Sequence, residues 1–91
     1  IPMSIRKEQS SAYPWNMAEQ LDKRYALLGA AIRRTREDAN LTQRDLAGMI
    51  GQPSSNSYVY RLENGKMKVS LEQLIRIADA LEVEVRDLID F

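Results

Sequence analysis

The chain has 91 residues, enough for one small domain, and contains neither cysteine nor histidine. Disulfides are therefore excluded and zinc would lack its usual ligands, so helix packing or dimerisation must supply stability, and we expect no metal or cofactor. The sequence has no long apolar run that could span a membrane and no signal-peptide pattern, so we expect a cytoplasmic protein.

Charge is distributed unevenly, although 13 Lys and Arg balance 13 Asp and Glu over the whole chain. Residues 1–71 hold eleven basic and seven acidic residues, whereas residues 72–91 hold two basic and six acidic ones. A basic section beside an acidic one can present a phosphate-binding face and repel DNA from the opposite end. Charged residues that only keep helix surfaces solvated would give the same distribution. Charge alone therefore does not predict a DNA-binding face without a supporting motif.

The N-terminal part, residues 1–15, has no clear hydrophobic period and is predicted to be a tail, with the domain covering residues 16–91. Residues 1–2 precede Met3 and are interpreted as residues left by cloning. The tail could dock on the domain or cross to a partner subunit.

A first helix is predicted from Asn16, which forms a possible capping box with Glu19, to Ala39. Its apolar residues recur at helical spacing: Leu21, Tyr25, Leu28 and Ile32. The helix is either continuous for more than twenty residues or broken near Gly29, because a glycine inside a helix costs ~1 kcal/mol relative to alanine. Asn40 is predicted to end it as a left-handed cap.

Four shorter helices are predicted to follow. Thr42 and Asp45 begin the second helix, and Gly51 ends it. A polar turn leads to a third helix with apolar residues Tyr58, Val59 and Leu62, which ends at Asn64 and Gly65. Ser70 and Gln73 form a capping box before the fourth helix, and Val85, Leu88 and Ile89 suggest a short fifth one. Five helices leave no room for a sheet, so the fold class is all-α.

The segment from about Gln43 to Glu63 is predicted to be a helix-turn-helix. Ala47 is small enough for two helices to cross closely, and Gly51 can adopt the backbone conformation of a tight turn. The outer face of the third helix is polar and fits the ~12 Å wide major groove of DNA. That face comprises Ser55, Asn56, Ser57, Tyr58 and Arg61.

These residues resemble the Cro and phage-repressor (XRE-like) family of helix-turn-helix proteins, over about Leu28 to Ile89. The resemblance rests on Gln43, Ala47 and Gly51, on the Leu62-Glu63-Asn64-Gly65-Lys66 ending, and on Leu28-Gly29, Ile32, Arg36, Ser70-Leu71 and Ala80-Leu81 in family order. It implies a compact five-helix, lambda-repressor-like domain, here with an N-terminal extension, that binds operator DNA, commonly as a two-fold dimer. It also implies that Gln43 contacts a phosphate, and that Asn56, Ser57 and Arg61 face the bases.

The resemblance further implies a structural ion pair between Arg36 and Glu63, which would tie the first helix to the third. Three cations are added as candidate phosphate contacts: Arg44 in the second helix, and Lys66 and Lys68 in the loop after the third helix. The complete candidate DNA-binding set is Gln43, Arg44, Ser54, Ser55, Asn56, Ser57, Tyr58, Arg61, Lys66 and Lys68.

The spacing departs from the family at one place, because Val59 follows Gly51 by eight positions where six are usual. Two extra residues could lengthen the turn or add half a turn to the start of the third helix. The second alternative is slightly favoured, since Pro53 fits an early helical position. Which of Gln52, Ser54, Ser55 and Asn56 touches DNA therefore stays open.

The sequence as a whole predicts a homodimeric transcription regulator, more specifically a repressor, that binds a palindromic operator in double-stranded DNA. Its dimer surface is predicted on the final helix, with Val85, Leu88, Ile89 and Phe91. No small-molecule ligand, membrane or enzymatic activity is expected, because no nucleophile has a candidate base. The alternative is a protein-interaction module on the same scaffold, such as an antitoxin-type partner protein.

Overall fold

The structure, a computed structural model, describes residues 21–52 and 56–91, with only the backbone of Asn56. These ranges contain five α-helices and no strand, which confirms the all-α, five-helix prediction. The helices are α1 (Arg24–Asp38), α2 (Gln43–Met49), α3 (Asn56–Glu63), α4 (Leu71–Leu81) and α5 (Val85–Leu88). The predicted tail, the Asn16–Glu19 capping box and the helical position of Pro53 lie outside the described residues.

Helix α1 runs through Gly29 without a break, so the predicted interruption there is wrong. The alternative of a continuous helix from Asn16 is also wrong, because α1 has 15 residues and residues 21–22 are not helical. A carboxylate oxygen of Asp22 accepts a hydrogen bond from the backbone N–H of Arg24 at 2.8 Å and holds this start as a turn. The guanidinium of Arg24 hydrogen-bonds the same carboxyl, and these bonds hold the pKa of Asp22 well below its usual range.

Two of the predicted helix ends are confirmed by left-handed residues, Asn40 with φ 61° and Gly51 with φ 86°. After Gly51, the N–H of Gln52 donates to the carbonyl of Ala47 at 2.7 Å, which closes the last turn of α2. Glu82 ends α4 in the same conformation, with φ 59°, which the sequence did not predict.

Side-chain caps begin α2 and α4 where the sequence placed them. The Thr42 hydroxyl accepts from the N–H of Asp45 at 3.0 Å, and the Asp45 carboxylate accepts from the N–H of Thr42 at 2.9 Å. At α4, Ser70 Oγ accepts from the N–H of Gln73 at 3.1 Å, whereas no return bond from the Gln73 side chain occurs within the described ranges. Only the first of these two caps is therefore a complete capping box.

All five helices contribute to one hydrophobic core. Its fully buried side chains include one from each helix: Ile32, Leu46, Val59, Ile77 and Leu88. The prediction that Leu88 belongs to an exposed dimer surface is therefore wrong. Helix α5 has only four residues, and Leu88 packs inward with Val85 half-buried beside it, so only Ile89 and Phe91 of the predicted dimer surface are exposed. The core holds α2 and α3 in their mutual position.

Candidate nucleic-acid interface

Helix α3 has one buried face and one exposed face. Val59, Leu62 and Glu63 are buried in the domain. The exposed residues are spaced three and four positions apart, so they share the opposite side of the helix: Ser57, Tyr60, Arg61 and Asn64. The predicted outward orientation of Ser57 and Arg61 is confirmed, and both side chains are accessible to a partner.

The two tyrosines of α3 have different environments. Tyr58, which the sequence analysis placed against DNA, is half-buried and packs on the core. Tyr60, which that analysis left out of the candidate set, is 53% exposed and lies on the same face as Arg61. The phase of the helix could have shown this, because Tyr60 follows Ser57 by three positions and precedes Asn64 by four.

Three further candidates, in the turn and at the start of α3, lie wholly or partly outside the described residues. Asn56 is the first residue of α3, and the structure does not describe its side chain. Ser54 and Ser55 lie outside the described residues, as does the place of the two extra residues.

The start of α2 brings Gln43 next to the end of α3. Gln43 is half-buried, and its Nε2 donates a hydrogen bond to Oε1 of Glu63 at 3.1 Å. Arg44 is exposed. The bond between Gln43 and Glu63 joins side chains twenty positions apart, and no local pattern in the sequence predicts it.

The expected ion pair between Arg36 and Glu63 is present. Arg36 Nε donates to Glu63 Oε2 at 2.6 Å and Arg36 Nη2 donates to Oε1 at 3.1 Å. The hydrogen bonds to Glu63 raise the pKa of Arg36 above its usual value. Because Arg36 Nη1 also donates to the carbonyl of Leu41 at 2.8 Å, the pair joins α1, the loop before α2, and α3. Arg36 and Glu63 therefore form part of the scaffold.

The loop after α3 alternates between half-buried and exposed side chains. Met67 and Val69 pack on the core, and the intervening Lys66 and Lys68 are exposed. With these two apolar side chains packed on the core, both ammonium groups face solvent.

Four candidate cations form no ion pair with any residue of the described ranges: Arg44, Arg61, Lys66 and Lys68. Arg33 of α1, in contrast, lies 3.2 Å from Glu37, and Arg76 of α4 lies 2.9 Å from Glu72. A cation that makes no ion pair within the described residues has none there to give up when it meets a phosphate, and this holds for Lys23, Arg34 and Arg86 as well. The helix-turn-helix and the loop that follows it therefore offer positive charge to an anionic partner.

Within residues 21–52 and 56–91, no group of three or more acidic, His or Cys side chains is placed to hold a metal ion. None of the five helices has the length and apolar character needed to cross a membrane.

Comparison with known proteins agrees with this geometry. A helix-turn-helix family model matches residues 32–88. The structure is similar to the restriction-modification controller protein C.AhdI from Aeromonas hydrophila, with a TM-score of 0.66 and 34% identity over 70% of this chain and 94% of that chain. It is also similar to the clp gene regulator ClgR from C. glutamicum, with a TM-score of 0.69 and 37% identity over 77% of this chain and 86% of that one. No curated protein sequence matches the chain. The chain belongs to the XRE family of helix-turn-helix DNA-binding regulators.

Proposed function

We propose that this regulator is a homodimeric transcriptional repressor that reads a two-fold symmetric operator through α3. The observation that carries the proposal is the two-sided character of α3. Its apolar side is locked in the core by Val59 and Leu62, while Ser57, Tyr60 and Arg61 face outward. A helix held in this way can enter the major groove without losing its place in the domain.

Base recognition is assigned to the exposed face of α3 and to its N-terminal end. Arg61 can donate two hydrogen bonds to O6 and N7 of one guanine, which is the commonest specific contact in the major groove. Ser57 can donate or accept at a base edge, and Asn56 carries the amide that suits adenine. Tyr60 joins the set as a residue that can contact a thymine methyl group or a sugar.

Phosphate contacts are assigned to residues on either side of α3. Gln43 and Arg44 lie at the start of α2, and Lys66 and Lys68 lie in the loop after α3. Contacts to phosphate fix the register of the protein on the duplex without reading sequence. Ser54, Ser55 and Tyr58 stay in the proposed interface as neighbours of these groups along the chain.

A second copy of the chain is proposed to cover the apolar surface around the C-terminal end. Ile89 and Phe91 are 44% and 54% exposed. Phe91 lines a cavity of about 370 Å³ together with Tyr25 and Leu28 and with the ion pair of Asp22 and Arg24. An exposed apolar patch of this kind is typical of an interface. Two-fold pairing would place the two α3 helices ~34 Å apart, which is one turn of DNA. The dimer would repress transcription by occupying promoter DNA.

The proposal is tested by selecting binding sites from a random DNA pool and titrating the selected site with salt. We expect a two-fold symmetric consensus, and a binding constant whose logarithm falls linearly with the logarithm of the salt concentration. The R61A variant should relax the sequence preference at one base pair of each half-site, whereas the control R86A should leave it unchanged, because Arg86 is an exposed cation on α5, outside the helix-turn-helix. Absence of enrichment at low salt would contradict the proposal and favour the protein-interaction module.

A further inference from the structure

The carboxylate of Glu63 receives three hydrogen bonds from two other helices. Arg36 of α1 donates two, at 2.6 Å and 3.1 Å, and Gln43 of α2 donates the third, at 3.1 Å. The Glu63 side chain is only 1% exposed, although it ends the helix proposed to read the operator. One buried group therefore connects the recognition helix to the first residue of α2.

The bond to Glu63 fixes which way the Gln43 amide points. An ionised carboxylate can only accept hydrogen bonds, so the nitrogen of the amide, and not its oxygen, must face Glu63. Nε2 carries two hydrogens and uses one of them for Glu63. Its second N–H remains for another acceptor, and a phosphate oxygen is such an acceptor.

Arg36 makes this arrangement compatible with an anionic ligand. A lone carboxylate near a phosphate would repel it, but the guanidinium bonded to both oxygens of Glu63 offsets that charge. The backbone of Glu63 also packs closely on α1, because a Cβ at Gly29 would lie 2.5 Å from its carbonyl oxygen. Glu63 is thus held in place by Arg36 and by packing on α1, independently of its bond to Gln43.

We propose that Glu63 is a positioning residue for DNA binding, which holds the Gln43 carboxamide by its Nε2 so that the amide is ordered before a phosphate arrives. The inference rests on the proposed function, in which Gln43 contacts the operator backbone. Ordering a long side chain costs free energy, and a side chain ordered during folding does not incur that cost on binding.

The first test is made on the wild-type protein without DNA. The side-chain amide of Gln43, labelled with nitrogen-15, should show an NMR order parameter close to that of rigid backbone, about 0.85. A value below about 0.6 would show a mobile side chain and overturn the proposal. This measurement needs no variant that has to fold.

The second test is a double-mutant cycle with E63D and Q43A. The shorter aspartate side chain in E63D retains the negative charge that Arg36 needs, but it cannot reach Arg36 and Gln43 together. We expect E63D to weaken binding to the selected operator about three- to tenfold when Gln43 is present, and to have no effect in the Q43A background. Affinities are compared at a temperature where circular dichroism shows all four proteins folded.

Equal losses in both backgrounds would show that Glu63 acts only on the fold, and would overturn the proposal. The outcome is separable from the proposed function itself. Wild-type protein that selects no operator and shows no salt dependence would refute DNA recognition. An operator-binding wild type with a cycle that shows no coupling would refute only the role of Glu63.

Discussion

Arg36 and Glu63 form a bidentate ion pair in which the side chains are only 9% and 1% exposed. Both oxygens of Glu63 accept from the guanidinium, and the third arm of Arg36 bonds the carbonyl of Leu41. A pair with so little access to water is stable only while both partners are present, because either charge alone would be buried without compensation.

Replacing Arg36 by Ala should therefore lower the free energy of unfolding by about 3–5 kcal/mol, measured by urea denaturation. The matched control is R33A, since Arg33 pairs with Glu37 in a bridge whose side chains are 60% and 54% exposed. That exposed i,i+4 pair should contribute no more than about 0.5 kcal/mol. Equal effects of the two substitutions would contradict the buried character of the pair.

Gly29 and Gly48 provide a matched pair of glycines inside helices. A Cβ at Gly29 would lie 2.5 Å from the carbonyl oxygens of both Leu62 and Glu63, whereas a Cβ at Gly48 would meet nothing within 4 Å. G29A should destabilise the domain by about 1–3 kcal/mol because α1 and α3 must move apart. G48A should stabilise it by up to about 1 kcal/mol, since alanine is the better helix former. Melting temperatures that shift in the same direction would refute this packing.

Most of the fold could be predicted from local sequence signals. Thr42, Asn40 and Gly51 mark helix ends by their own side chains or backbone freedom, and the structure confirms all three. Glu82 could not be predicted to end α4, because a glutamate is not a usual left-handed residue.

Two features were predicted wrongly or missed because tertiary packing, and not local sequence, determines them. Leu88 was predicted on an exposed terminal edge, whereas α5 packs it into the core. The bond from Gln43 to Glu63 spans twenty residues, and nothing local in the sequence indicates it. Tyr60, in contrast, could have been placed by helical phase alone, once Val59 and Leu62 were assigned to the buried side.

The capping box of α2 should make stability depend on pH. The hydrogen bonds from Thr42 lower the pKa of Asp45, so the folded state favours the ionised carboxylate. This contribution is present above the unfolded pKa, about 3.9, and is lost as the pH falls through the lower folded value. D45N should be less stable than wild type at neutral pH, and the difference should shrink below about pH 4. A difference independent of pH in thermal melts would contradict the role of the charge.

Lys66 and Lys68 should differ from Arg61 in the way they affect DNA binding. Each lysine that contacts a phosphate contributes about 0.9 to the salt slope, so the K66A/K68A variant should lose about 1.8 per protomer. Its affinity should fall equally for all operator sequences. R61A should instead relax preference at one base pair by about 1–3 kcal/mol. Fluorescence anisotropy with single-base operator variants separates the two effects, and an unchanged salt slope in K66A/K68A would exclude both lysines from the interface.

Dimerisation through the C-terminal surface is tested by I89D, which places a carboxylate in the proposed apolar interface. Ile89 is 44% exposed in the single chain, so the variant should retain its helical circular dichroism. Sedimentation should show a shift from dimer to monomer, because an unpaired charge in an interface costs free energy. Binding to a full operator should weaken more than binding to an isolated half-site, since the two domains lose their link.

L71D is the control, because Leu71 is 68% exposed at the start of α4. Dissociation by L71D and not by I89D would place the second copy on α4 instead.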